Sequence, residues 1–140
     1  MSAYLILSPI AAMALLSAVV GGALLAQRVG EMRARRIRMQ AVATSRQMAA
    51  TLERVNIADN FRNLFETPVL FYALCLALAI TQSATPGMLA AAWAYVALRV
   101  IHSAIHCSYN RVLHRFVAFG ASFTLLTGMW LAFAWQALGA

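Results

Sequence analysis

The sequence predicts an all-α integral membrane protein built as a bundle of four transmembrane helices. The first observation is composition, since 63% of the residues are hydrophobic and 11% are charged, whereas about a quarter of the residues in soluble domains are charged. The second is the distribution of charge, because residues 1–27, 67–98 and 116–140 contain no Asp, Glu, Lys or Arg. Roughly 20 apolar residues in a helix cross a bilayer core of about 30 Å, so each stretch is long enough to span a membrane.

The middle stretch has room for two helices, and the turn-forming segment "TQSATPG" at 81–87 divides it. We therefore predict one domain over residues 1–140, in which a basic loop at 28–58 separates the first two spans. The predicted spans cover residues 3–27, 64–82, 87–108 and 115–137.

Arginine distribution predicts the orientation in the membrane. Residues 28–54 carry seven Arg against two Glu, and Arg111 and Arg115 flank the last loop. Because positive loops stay in the cytoplasm, both basic loops are expected there and both termini on the periplasmic side. The absence of lysine is typical of a GC-rich bacterial genome, so a bacterial inner membrane is the predicted location. Topology and contact with anionic membrane lipid explain the basic loop without nucleic-acid binding.

Two rows of small residues predict close helix packing. Small residues spaced by four let helix backbones approach each other in lipid, where hydrophobicity does not drive association. The first span carries Ala14, Ala18, Gly22 and Ala26, and the fourth carries Gly120, Thr124 and Gly128.

A polar stripe is predicted on one face of the third span. Tyr95, Arg99, His102, His106 and Tyr109 follow one another at helical spacings of three and four. Ionisable groups at membrane depth cost roughly 2.5–3.5 kcal/mol each on insertion scales, so they normally face the bundle interior or a water-filled cavity. The alternative is that the arginine snorkels to the cytoplasmic interface.

The second span begins with polar residues that belong to the same predicted pocket. Arg62, Asn63 and Glu66 lie within two helical turns, and no acid follows Glu66 in the chain. Glu66 is therefore the predicted counter-ion of the third-span cations, although a local Arg62–Glu66 pair is an alternative. Such a pocket favours a small, mainly anionic ligand from the cytoplasm, beside a groove that admits an apolar partner from the lipid.

Two segments resemble motifs of the MAPEG family, the membrane-associated proteins in eicosanoid and glutathione metabolism. "RNLFETPVLFYAL" (62–74) is similar to the family's opening of helix two, and "RVIHSAIHCSYNRVLHR" (99–115) is similar to its third helix and the following loop. The resemblance implies a homotrimer that binds glutathione as co-substrate between subunits and acts on lipophilic small molecules by conjugation, isomerisation or peroxide reduction.

The resemblance also implies roles for particular residues. Arg115 takes the catalytic position beside the thiol, and no metal is implied. His106 stands where some members have tyrosine, and Phe116 where some have serine. The predicted glutathione-binding residues are Arg28, Arg62, Asn63, Glu66, His102, His106 and Arg111.

Two other classes of protein stay open on the sequence alone. One is a non-catalytic MAPEG-like membrane subunit or scaffold, whose polar stripe only stabilises an oligomer. The other is a haem or metal protein that uses His102, His106 and His114. It is disfavoured because the first two share one helix face, whereas bis-histidine haem ligation usually needs opposed helices.

Overall fold

The computed structural model describes residues 3–53 and 55–139, and these residues form helices joined by short turns, with no strand among them. Short 3₁₀ helices cover Ala3–Leu7 and Met39–Val42. The α-helices are α1 (Ser8–Ala34), α2 (Ser45–Thr51), α3 (Asn56–Asn63), α4 (Thr67–Ile80), α5 (Pro86–Cys107) and α6 (Val112–Ala137).

Four helical stretches are long and apolar enough to cross a membrane, as predicted. The first stretch runs past the predicted end of its span at residue 27, and the second begins at residue 56, before the predicted start at residue 64. The stretches are Tyr4–Ala34, Asn56–Ile80, Pro86–Cys107 and Val112–Ala137. The four-helix, all-α membrane class is therefore confirmed.

With one glycine and no proline, residues 28–54 are predicted to be mostly helical and to continue the first helix, but that helix ends at Ala34. The chain turns at Arg36, whose φ of 53° lies in the left-handed region and stops the helix. Arg35 holds the returning chain, because its Nη1 donates to Glu31 Oε1 at 3.0 Å and to the carbonyl oxygen of Thr51 at 2.9 Å. The linker thus folds back against the end of α1.

The turn between α4 and α5 lies where the segment "TQSATPG" predicted it. Thr85 caps α5 because its Oγ1 accepts a hydrogen bond of 3.1 Å from the Met88 amide. Pro86 occupies the first helical position, where a missing N–H costs nothing. This end of the bundle is filled by apolar side chains that are almost or fully buried, among them Ile6, Leu78, Met88 and Met129.

α4 and α5 pack through aromatic rings in the middle of the bundle. Phe71 and Tyr95 stack with centroids 4.4 Å apart and planes 18° apart, and both side chains are fully buried. Offset-stacked rings at this distance add attraction beyond the area that they bury. The contact fixes the rotation of α5, and with it the direction in which the polar stripe points.

The small-residue row of the first helix faces outward rather than into the bundle. Ala14, Ala18, Gly22 and Ala26 are all exposed in the single chain. The close approach inside the chain is made by the neighbouring Gly21 instead, where an added Cβ would lie 3.0 Å from the Phe61 ring. The row is thus free to meet lipid or another chain.

Candidate functional site

A polar cavity of about 380 Å³ opens at the end of the bundle where the linker and the α5–α6 turn lie. Residues from α3, the α3–α4 junction, the second half of α5 and the start of α6 line it. Most of the predicted site residues are among them, namely Arg62, Asn63, Glu66, His102, His106 and Arg115. Asp59, Val112, Phe116 and Phe119 complete the lining.

The predicted stripe on α5 is buried over most of its length. Tyr95, Arg99, His102 and His106 are all buried, and Arg99 is 0% exposed. The arginine therefore does not snorkel to the interface. Tyr109 does not belong to the stripe, because α5 ends at Cys107 and the tyrosine is 57% exposed in the following turn.

Arg99 is held by an amide and not by a carboxylate. Its Nη2 donates to Asn63 Oδ1 at 2.6 Å and to the Asn63 carbonyl oxygen at 3.3 Å. Asn63 Nδ2 in turn donates to Glu66 Oε2 at 3.3 Å. Glu66 was expected to pair directly with the α5 cations, but Asn63 lies between it and Arg99. The Asn63 side chain accepts from the guanidinium and donates to the carboxylate. The Phe119 ring lies 5.7 Å from the Arg99 guanidinium carbon and adds a cation–π contact.

A break in the second span makes the Asn63 carbonyl available to Arg99. α3 ends at Asn63 and α4 begins at Thr67, with Pro68 in its first turn. Proline has no N–H and its ring clashes with the carbonyl four residues earlier, so a continuous helix is disfavoured through this point. Around such a break, other side chains can satisfy the freed backbone groups within the bundle. The arginine does so here.

The local ion pair expected between Arg62 and Glu66 is not formed, and Arg62 pairs with Asp59 instead. Arg62 Nη1 lies 3.9 Å from Asp59 Oδ1, and both side chains are more than half exposed. Such exposed pairs contribute little to stability. Arg62 therefore has its guanidinium available at the rim of the cavity.

Arg115 is fixed by residues on both sides of the α5–α6 turn. Its Nη1 donates to Asn110 Oδ1 at 2.9 Å and contacts His106 Nε2 at 3.0 Å. Because arginine has only donors, His106 Nε2 must be the acceptor, so the imidazole is neutral and its proton is on Nδ1.

His102 contacts the backbone of the same arginine. Its Nδ1 lies 3.2 Å from the Arg115 carbonyl oxygen and must donate to it, since a carbonyl only accepts. The ring is 2% exposed, and its Nε2 has no partner among the residues that the structure describes. A buried polar atom without a partner at a cavity wall marks a place where a ligand or water can bind.

Two of the predicted residues lie outside this cavity. Arg28 lines a smaller neighbouring cavity of about 150 Å³, which it shares with Asp59 and Arg62. Arg111 is exposed at the N-cap of α6. In the single chain, therefore, neither arginine lines the polar cavity that the other predicted residues surround.

Sequence reasoning missed three residues that support the site, Asn110, Ser103 and Cys107. Asn110 anchors Arg115, and no helical periodicity could indicate it because it lies in a turn. Asn60 is fully buried, accepts from Ser103 Oγ at 3.3 Å and donates to Cys107 Sγ at 3.3 Å. Ser103 and Cys107 are four residues apart, so their common helix face was a usable signal.

The fold and the cavity define a four-span membrane protein whose polar pocket is built from cations, amides and carboxylates at one end of the bundle. Residues 3–135, nearly the whole chain, match the model of the MAPEG family. The chain belongs to this family. Membership indicates glutathione-related chemistry of transferase or peroxidase type in a membrane. No curated protein and no solved structure matched the chain.

Proposed function

We propose that this protein is a membrane-bound glutathione transferase or peroxidase that acts on lipophilic electrophiles with glutathione bound as its thiolate. The observation that carries the proposal is the fixed guanidinium of Arg115, held through one nitrogen at the wall of a cavity that also contains both signs of charge.

The charges around the cavity complement those of glutathione. The tripeptide has two carboxylates, one ammonium and a thiol. Arg62 offers a guanidinium at the rim for a carboxylate, and Glu66 and Asp59 offer carboxylates for the ammonium. Asn63 and the unpartnered His102 Nε2 add hydrogen-bonding groups between them. These residues supply affinity and orientation more than chemistry.

Arg115 supplies the chemistry by stabilising the thiolate. A free thiol with a pKa of about 8.5 is roughly 3% ionised at pH 7, and a fall of about two units makes it roughly three-quarters ionised. That shift corresponds to about 2.7 kcal/mol, which a guanidinium in a partly desolvated site can provide. Arginine suits this role because it stays charged beside the thiolate. A neutral His106 that accepts from it cannot provide the same field.

Conjugation then needs only the two substrates and water, which takes the proton of the thiol. The thiolate sulfur attacks an electrophilic carbon, a C–S bond forms, and the displaced electron pair leaves with the leaving group. Where the electrophile is conjugated, the pair moves to its carbonyl oxygen, which takes a proton from water. Phe116 is 70% exposed at the cavity edge and offers an apolar surface toward the lipid for such a substrate.

A homotrimer is part of the proposal. The cavity is open on the side of the single chain, and Arg28 and Arg111 lie outside it. The outward row Ala14, Ala18, Gly22 is exposed, and a Cβ added at Gly22 would meet nothing within 4 Å in the described part of the chain. Association along this row would let a neighbouring chain complete the site with its own Arg28.

From the arginine distribution we also propose how the chain is oriented in a bacterial inner membrane. The basic loops lie in the cytoplasm and both termini lie in the periplasm. Labelling of Ser45→Cys, in a background with Cys75 and Cys107 replaced by alanine, tests it. Reaction with a membrane-impermeant reagent only after the cells are opened is expected. Reaction in intact spheroplasts would reverse the orientation.

Glutathione titration of the purified protein by calorimetry tests the function, with native mass spectrometry reporting the trimer. We expect saturable binding and an ultraviolet thiolate band that appears with glutathione. S-methylglutathione is the matched control, because it binds through the same charged groups but cannot form a thiolate. Absence of glutathione binding would leave the non-catalytic scaffold as the better description.

A further inference from the structure

Asn110, in the turn between α5 and α6, combines two features that are independent of each other. Its φ is 47°, in the left-handed region that most side chains avoid and that asparagine tolerates better than most. Its Oδ1 accepts a hydrogen bond of 2.9 Å from Arg115 Nη1, five residues later. The same residue therefore turns the chain and reaches a side chain at the cavity wall.

Both hydrogen bonds of the Arg115 side chain within the described part of the chain leave from one nitrogen. Nη1 carries two hydrogens, and Asn110 Oδ1 and His106 Nε2 accept them at 2.9 and 3.0 Å. A guanidinium has five N–H donors in a planar fork. Of the three that are left, Nε–H and one Nη2–H lie side by side on the Nε–Nη2 edge, which is the geometry that binds an anion at two points.

We propose that Asn110 is a positioning residue, which together with His106 clamps Arg115 through Nη1 and leaves the Nε–Nη2 edge for the sulfur of glutathione. This inference rests on the proposed function. The inference adds to that function a residue that contacts neither substrate and acts only through Arg115.

The second anchor matters because of the freedom of an arginine side chain. One hydrogen bond fixes a point but still allows the guanidinium plane to rotate about it. Two acceptors on the same nitrogen, one from α5 and one from the turn, fix the plane as well. A donor that is already oriented stabilises developing charge more effectively than one that must be ordered during the reaction.

Asn110→Gly separates the two features of the position. Glycine adopts positive φ freely and keeps the turn, but it removes the acceptor. Gln82 provides a matched control, because it is an exposed residue with φ 53° in the turn at the opposite end of α5. Gln82→Gly makes the same backbone change far from the cavity.

The measurement is the ultraviolet thiolate band of bound glutathione as a function of pH, in wild type and both variants. For Asn110→Gly we expect the bound thiol to titrate about one unit higher, which lowers the thiolate fraction at pH 7 about threefold. Glutathione affinity is expected to fall by no more than about threefold, the loss that is linked to this titration shift at pH 7, since the tripeptide's charged ends bind elsewhere. Gln82→Gly should match wild type in both. A purely structural role of Asn110 would not move the titration.

The other half of the clamp gives an independent test, should Asn110→Gly fail to assemble. His106→Leu removes the second acceptor, and His106→Gln replaces it with an amide oxygen. We expect the leucine variant to lose thiolate signal about threefold and glutamine to recover it. Full signal in Asn110→Gly or His106→Leu overturns the clamp alone. Wild type that binds glutathione without any thiolate band overturns the proposed thiolate chemistry, and the clamp with it.

Discussion

The two ends of the helix bundle use the same construction, a tight turn between long helices, but fill the space between the helices differently. At the α4–α5 turn, Leu78 and Met88 meet other apolar side chains. At the α5–α6 turn, the buried surface carries His102, His106 and Arg99. The apolar end requires only that shapes fit, whereas the polar end depends on specific hydrogen-bond partners for its buried side chains. Sequence changes should therefore have specific chemical effects only at the polar end.

The largest expected effect is the loss of Arg99's partner. Asn63→Leu takes the 2.6 Å acceptor Oδ1 away from a fully buried guanidinium and leaves it only the backbone carbonyl of residue 63. We expect the unfolding free energy in mixed micelles to fall by about 3 kcal/mol. Adding Arg99→Met removes the stranded charge as well. The double variant should recover most of the loss, and a double variant as unstable as the single one would contradict the pairing.

Arg115→Leu comes next and should act on chemistry more than on folding. We expect turnover of a generic electrophile at pH 7 to fall about 25-fold, because the thiolate fraction drops from about three-quarters to about 3%. Glutathione affinity should change little, because the carboxylates and ammonium bind at other residues. Arg46→Leu, an exposed arginine on α2, is the control for loss of one positive charge. Equal rates in the two variants would remove Arg115 from the catalytic position.

Glu66→Gln is expected to have a moderate effect. It removes the negative charge that orients Asn63 and faces the ammonium of glutathione, so affinity should weaken about tenfold, or about 1.4 kcal/mol. Trimer stability should fall with it, because the α5 cations lose their nearest negative charge. Glu53→Gln, in the exposed linker, controls for the loss of one acid. Calorimetry and native mass spectrometry report the two effects, and unchanged values in both would refute the relay through Asn63.

The smallest effect is expected at the apolar end. Leu78→Ala creates a cavity, and we expect a loss of about 1 kcal/mol, less than the 2–5 typical of soluble cores because lipid is as apolar as leucine. The thiolate band and turnover should match wild type at a temperature where both proteins are folded. Loss of the thiolate band would show that the two ends are mechanically coupled.

Much of the fold followed from local pattern. The charge-free stretches and the "TQSATPG" turn gave the four spans, because membrane thickness fixes how many apolar residues a helix needs. Errors were confined to the ends of helices. The predicted second span began at residue 64, yet helix α3 already forms at 56–63 because its residues pack on α1 and α5. Helix α1 ends at Ala34 because Arg36 adopts a left-handed conformation, which an arginine in the sequence does not predict.

The sequence by itself determined that Arg99, His102 and His106 share one buried helix face, because helical periodicity and membrane depth are properties of a single helix. Only the tertiary structure decided their partners. Asn63 holds Arg99 because the helix breaks before Pro68, and Asn110 holds Arg115 because a left-handed turn brings α6 back against α5. Such partners depend on the rotation and breaks of several helices at once, so no spacing within one helix encodes them.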